Sequence, residues 1–226
     1  MGYRNNCAKT EIIKIIELLS GKYSAYEVFS DWVKCAAISM CNALDMVQGK
    51  VWKKREEEYL ATIRKYNDKE VTYLCKMTGL LTEALEEDLT DVLGQLFMEM
   101  KLGSSQTGQF FTPFHISELN AVLALQEIIS SYNGEKIKLS EPSCGGGGAI
   151  IAVAKYLKEN GIDYQKKMEV VAQDLDWKGV YMCYLQLGLL GINAVVVQGD
   201  TLAEPYHEHY QRDRIMLTPA RMGVLI

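Results

Sequence analysis

The chain has 226 residues, 48% of them hydrophobic, enough for one large domain or two small ones with real cores. Its 24 Lys and Arg against 29 Asp and Glu leave a net charge of −5, spread over both halves, so composition alone gives no strong attraction to nucleic acid. Any phosphate contacts would have to come from local patches or from a partner. No apolar run approaches the roughly 20 residues of a membrane span, and MGYRNNCAKTE carries no signal-peptide core. The six cysteines and three histidines show neither a CxxC pair nor a metal-ligand spacing, a pattern that predicts reduced thiols in a cytoplasmic protein and no metal.

From the N-terminus, TEIIKIIELL places Ile12, Ile15, Ile16 and Leu19 on one helical face behind Thr10, a candidate N-cap. Gly21 separates it from a second helical pattern, AYEVFSDWVKCAAISMCNALD. The charged stretch KVWKKREEEYLATIRKY follows; its Lys50, Lys53, Lys54 and Arg55 around Trp52 read first as a solvated helix face. Apolar spacing of three to four then runs through EVTYLCKMTGLLTEALEEDLTDVLGQLFMEMKL. Residues 1–102 therefore form an all-helical region of four or five helices.

GSSQTGQ at 103–109 breaks the composition and predicts a loop. Beyond it, helical patterns alternate with short strands: HISELNAVLALQEIISSY, then KIKLSEP, GAIIAVAKYLKENG, MEVVAQDLD, WKGVYMCYLQLGLLG, NAVVVQGD and DRIMLTP. Such alternation predicts an α/β region over 103–226 with a parallel sheet wound by helices on both faces. Its ligand belongs at the C-terminal strand ends.

Three strand ends carry candidates. EPSCGGGGAI is a strand, a glycine turn and a helix start, where missing Cβ atoms let a ligand approach the backbone. It is not a phosphate loop, because no Lys-Ser/Thr pair follows, and it lacks the third glycine of the dinucleotide fingerprint. Asp174 ends the second strand, where a carboxylate can accept from ribose hydroxyls; the nearby Asp176 is placed to cap the next helix. Asp200, in QGDTL, ends the third and can accept from an exocyclic amine.

Taken together, GQFFTP (108–113), EPSCGGGGAI, QDLD and GINAVVVQGDTL resemble the N6-adenine DNA methylase family, the modification subunits of type I restriction systems and their relatives. In that family an aromatic-Thr-Pro element precedes a DPxxGxGG loop and a later GDTL-like strand end; here Glu141 stands for the usual Asp. The resemblance covers about residues 103–203 and implies a Rossmann-like methyltransferase domain binding S-adenosylmethionine; the residues themselves supply a short, mainly parallel sheet of about four strands. It places Phe111, Thr112 and Pro113 along the cofactor and Glu141, Cys144, Gly145 and Gly147 beneath its methionine end. Asp174 would hold the ribose and Asp200 the adenine amine. Phe110 and Phe111 also fit as core residues at a domain junction, the commoner fate of aromatics at such spacing.

The family's catalytic Asn-Pro-Pro-aromatic turn has no counterpart. At its place the chain reads RIMLTPARMGVLI, where Thr218 and Pro219 offer only an echo. A complete methyltransferase sheet would need further strands, so the domain reads as truncated, with a fourth strand whose edge, over residues 210–226, is expected to be covered by a second copy or a partner subunit. The readings open at this point are an adenine-N6 DNA methyltransferase, a catalytically degenerate cofactor-binding partner, and a generic nucleotide-binding domain.

Overall fold

The computed structural model describes residues 2–103 and 111–224, with side chains from residue 7 onward. The rest of the loop expected over 103–109, together with Phe110, lies outside those residues.

Five helices build the N-terminal region: α1 (Gly2–Leu19), α2 (Ala25–Leu44), α3 (Lys50–Ile63), α4 (Asp68–Glu87) and α5 (Val92–Glu99). Thr10 does not cap α1, which already runs through it. The true caps carry their own chemistry. Ser24 Oγ accepts the amide of Glu27 at 3.1 Å while the Glu27 carboxylate accepts the Ser24 amide at 3.0 Å, and Asn67 and Glu70 repeat this reciprocal box ahead of α4. The long apolar pattern after residue 70 divides at 88–91, where Asp91 Oδ1 accepts the Gly94 amide at 2.8 Å and starts α5.

The apolar stripe of α1 is buried as its spacing predicts, with Ile12, Ile15, Ile16 and Leu19 packed toward α4. Phe29 of α2 meets both its helix neighbour Trp32 and Phe97 of α5 in the same interior, and the Trp32 indole donates to Thr78 Oγ1 at 3.0 Å. Each such ring, fully withdrawn from water, contributes about 1.5–3 kcal/mol to folding.

The α/β region continues with α6 (Phe114–Ser130), β1 (Ile137–Glu141), α7 (Gly148–Glu159), a single helical turn α8 (Tyr164–Lys167), β2 (Met168–Asp174), α9 (Trp177–Leu189), β3 (Ala194–Gln198) and β4 (Ile215–Leu217). The strands lie in the order β1-β2-β3-β4. The first three are parallel, with Glu141 beside Ala172 and Asp174 beside Gln198, so their C-terminal ends share one edge. β4 is antiparallel to β3, pairing Leu217 with Val195 and Ile215 with Val197.

Period-two alternation sorts the strand residues between two interiors. Val170, Ala172, Ala194, Val196 and Met216 face the large core with α7 and α9, whereas Val195, Val197, Ile215 and Leu217 face a small cluster closed by Tyr206 and Tyr210. Helices on both faces were expected. Among the described residues the second face is covered instead by the chain between β3 and β4, which is irregular apart from one 3-10 turn at Arg212–Arg214, because that segment turns back to form the antiparallel strand. α2 and α5 pack directly on α9, and one continuous core runs from α1 to β3.

Candidate functional site

The edge formed by the ends of β1, β2 and β3 gathers the polar residues that the sequence singles out. After β1 the chain makes the turn Pro142–Gly147 and enters α7. Gly145 and Gly147 both have positive φ, +48° and +91°, which an L side chain rarely adopts. A Cβ on Gly145 would lie 2.8 Å from the Phe111 ring. The four glycines are therefore a rigid, close-packed turn and not a flexible spacer.

Asp174 clamps this turn. Its Oδ2 accepts the Gly145 amide at 2.8 Å and its Oδ1 accepts the Asp176 amide at 2.9 Å, while the Cys144 amide bonds the neighbouring Gln173 carbonyl at 2.9 Å. Gly179 on the first turn of α9 leaves room for the carboxylate; a Cβ there would sit 3.1 Å from it. Asp176 accepts the Lys178 amide at 3.1 Å and is the N-cap of α9, so the two nearby acids have separate positions. Glu141 Oε1 accepts the Ser143 amide at 3.1 Å, and the residue lines the cavity above the turn.

A cavity of about 480 Å³ opens over the turn, lined by Phe111, Thr112, Glu141, Ser143, Cys144, Gly145, Gly146, Gly148, Ala149 and Asp174, with Ser117 and Asn120 from α6. Of the sequence candidates, Phe111, Thr112, Glu141, Cys144, Gly145 and Asp174 come together here. Pro113 stands at the start of α6 and lines a neighbouring recess, and Gly147 lies behind the turn, where its Cβ position is 3.3 Å from Cys183 Sγ. Phe111 lines the cavity and also packs at the junction, its ring meeting Phe97 edge-on at 5.1 Å.

Asp200 shares the sheet edge without lining the cavity. Its Oδ1 accepts the amides of Leu202 at 2.9 Å and Ala203 at 3.3 Å, shaping the turn after β3, and Thr201 Oγ1 ties that turn to the Pro142 carbonyl at 2.7 Å. Thr218 and Pro219 are elsewhere. Because β4 runs antiparallel, its C-terminal end returns to the start of β3, the opposite end of the sheet. There the fully buried Thr218 hydroxyl donates to the Ile192 carbonyl at 2.7 Å and accepts the Ala194 amide at 2.9 Å. Thr218 thus ties β4 to the start of β3, and neither it nor Pro219 lines the cavity.

The lining bears two carboxylates and no lysine or arginine among the described residues. Such a cavity suits a ligand that offers amines and hydroxyls, and it gives a phosphate no countercharge. No group of three metal-ligating side chains exists among the described residues, and no helix is long and apolar enough to cross a membrane.

Sequence reasoning passed over Ser117 and Asn120, which α6 presents three residues apart, and two residues beneath the turn, Asp91 and Gln186. Asp91 stands directly ahead of the apolar run VLGQLF, and an N-cap signal of Asp followed by Gly94 was there to be read. Gln186 gave none, since it sits inside an apolar helix.

The family model for N-6 DNA methylase matches residues 86–220, more than half of the chain. Over 103 residues the chain is 27% identical to the Type II methyltransferase M.BanIII of Aneurinibacillus aneurinilyticus, an alignment that takes in 45% of this chain and 17% of that protein. Among solved structures, a type I restriction-modification methyltransferase subunit from Streptococcus thermophilus is 14% identical with a TM-score of 0.49, covering 91% of this chain and 61% of that one. A class I S-adenosylmethionine-dependent methyltransferase from Listeria monocytogenes is 14% identical with a TM-score of 0.46, covering 88% and 55%. The chain thus spans less than two thirds of the length of each of these relatives.

Proposed function

The chain belongs to the N-6 DNA methylase family, and from that premise we propose that its cavity binds S-adenosylmethionine for methylation of adenine N6 in DNA, within a restriction-modification type of system. The observation that carries this reading is the glycine turn held by Asp174 beneath a cavity lined by acids and without bases. The donor set fits the group: Asp174 keeps a lone pair on each oxygen for ribose hydroxyls, and Glu141 offers a carboxylate to an α-amino group. The Gly145 and Gly146 backbone leaves the floor open where side chains would fill it.

When bound, S-adenosylmethionine supplies an already activated methyl group. The protein's part is therefore positioning. Phe111 and Thr112 wall the cavity on the side of the helical region, and Ser117 and Asn120 close it from α6. Asp200, at the end of β3 on the same sheet edge, is the acceptor this reading gives to the adenine amine. In this reading DNA is the substrate partner, and a cytoplasmic location fits such a substrate. Because the whole chain is net acidic, affinity for DNA comes from a local surface or from a companion subunit.

The reading includes such a subunit at the β4 edge. There Met46, Val47 and Met222 are exposed around a recess of about 200 Å³ lined in part by Leu44, Ile215 and Leu217. α3 covers part of this side through the Lys54–Asp213 ion pair at 3.0 Å, and the remaining apolar surface is the part that a partner takes.

Titration calorimetry with S-adenosylmethionine and S-adenosylhomocysteine tests the cofactor; no heat from either at millimolar ligand removes it. Transfer of labelled methyl to unmethylated DNA, followed by mapping of the modified base, tests the reaction. A monomeric mass in light scattering, alone and with its companion subunit, would count against the β4 contact.

A further inference from the structure

Beneath the glycine turn lies a buried polar chain that no part of the cofactor reading uses. Gln186, fully buried on α9, donates from Nε2 to Asp91 Oδ1 at 2.8 Å and to the Gly146 carbonyl at 2.7 Å, and its Oε1 accepts the Leu93 amide at 3.0 Å. Both donor hydrogens and the acceptor of this amide are thereby committed. Asp91 Oδ1 takes the Gly94 amide as well. The carboxylate also fills the space over three glycines: a Cβ would lie 2.0 Å from it at Gly94, 3.1 Å at Gly146 and 3.0 Å at Gly148.

We infer that Asp91 and Gln186 are positioning residues: they form a strut by which the N-terminal helical region fixes the shape of the glycine turn, and so set the affinity of the cavity above it. The strut itself stands on the geometry; its link to affinity rests on the S-adenosylmethionine reading. Three features favour a positioning role over simple packing. Buried, unpaired polar groups are expensive, so a carboxylate and an amide at this junction persist only as a matched set. The set ends on the carbonyl of a residue that lines the cavity. Two of the four turn glycines, Gly146 and Gly148, are explained by Asp91, while Gly145 and Gly147 are explained by their backbone angles. Burial pushes the Asp91 carboxyl up, which accords with an acid enclosed on all sides.

The test compares Asp91→Ala, Asp91→Asn and Gln186→Met in the full chain, with Leu81→Ala as a variant that damages the helical core away from the strut. Amide exchange is read at Gly145 and Gly147, whose N–H groups are held by Asp174 and by the Cys144 carbonyl. S-adenosylhomocysteine affinity is measured well below each melting temperature. Asp91→Ala and Gln186→Met are expected to speed exchange at both amides and weaken binding by about tenfold or more, the equivalent of one buried charged hydrogen bond. Asp91→Asn keeps the acceptor oxygen and restores both. Leu81→Ala lowers the melting temperature and leaves both readouts unchanged. Unchanged exchange in the strut variants, or equal acceleration in Leu81→Ala, overturns the strut. If the wild type binds no S-adenosylhomocysteine, the cofactor reading fails and exchange alone decides. If Asp91→Ala does not fold, Gln186→Met carries the comparison.

Discussion

The carboxylate that ends β2 holds the turn that ends β1: Asp174 Oδ2 accepts the Gly145 amide at 2.8 Å. With its other oxygen on the Asp176 amide, the side chain is oriented before any ligand arrives, and each oxygen still has an acceptor position to offer.

Replacing Asp174 with Ala therefore removes a binding group and releases two amides together. S-adenosylmethionine affinity should fall beyond calorimetric detection, with a stability loss of about 1–3 kcal/mol in thermal unfolding. Wild-type affinity in that variant would show that the ribose is held elsewhere.

Thr218 gives the opposite expectation. Val keeps its shape and removes the hydroxyl, leaving the buried Ala194 amide without its partner, at a cost of about 1–3 kcal/mol. Cofactor affinity should not change, since the residue lies at the far end of the sheet. A marked loss of binding with intact stability would return Thr218 to the site.

Asp91 predicts a pH trend of definite sign. Burial raises its carboxyl in the folded state above the ordinary 3.8. The unfolded chain therefore ionises first as pH rises, and from about pH 4 upward through the folded value the wild type loses stability that Asp91→Asn does not lose. The facing titratable group, Cys183, stays protonated across this range, because burial and the adjacent Cys144 thiol both raise it. Denaturant unfolding of both proteins between about pH 4 and 7 should show the difference moving in favour of Asn; a flat difference would mean that Asp91 titrates normally.

Thiol reactivity should divide by burial. Cys7 and Cys75 are exposed, while Cys35, Cys41, Cys144 and Cys183 are buried, and Cys35 is pushed up to about 12 by desolvation. A thiol-specific disulfide reagent near pH 8 should titrate Cys7 and Cys75 rapidly and the others only on unfolding. Rapid reaction at Cys144 would reveal that the cavity floor opens readily.

The parts of the fold that follow from periodicity were legible. Ile12, Ile15, Ile16 and Leu19 predicted a buried helical stripe, and the βα alternation predicted a mainly parallel sheet of about four strands with its chemistry at one edge. The convergence of Glu141, Cys144, Gly145 and Asp174 follows from the same logic, since parallel strands bring their ends together. The direction of β4 was not legible. Ile215–Leu217 is too short to reveal which way it pairs, and only the turn shaped by residues 199–214 sends it back along β3. Gln186 was hidden for another reason: a lone amide in WKGVYMCYLQLGLLG has no local signature, and its partners lie 40 and 95 positions away in sequence.

The continuity of the interior from α1 to β3 bears on how the molecule comes apart. With α9 packed against α2 and α5 on one side and against β2 and β3 on the other, neither half can lose its order without exposing the apolar surface of its neighbour. The passage from helical to α/β architecture near residue 103 is therefore expected to bring no break in cooperativity. Calorimetry should record a single heat-absorption peak, with van't Hoff and calorimetric enthalpies in agreement, where two loosely joined domains would give two.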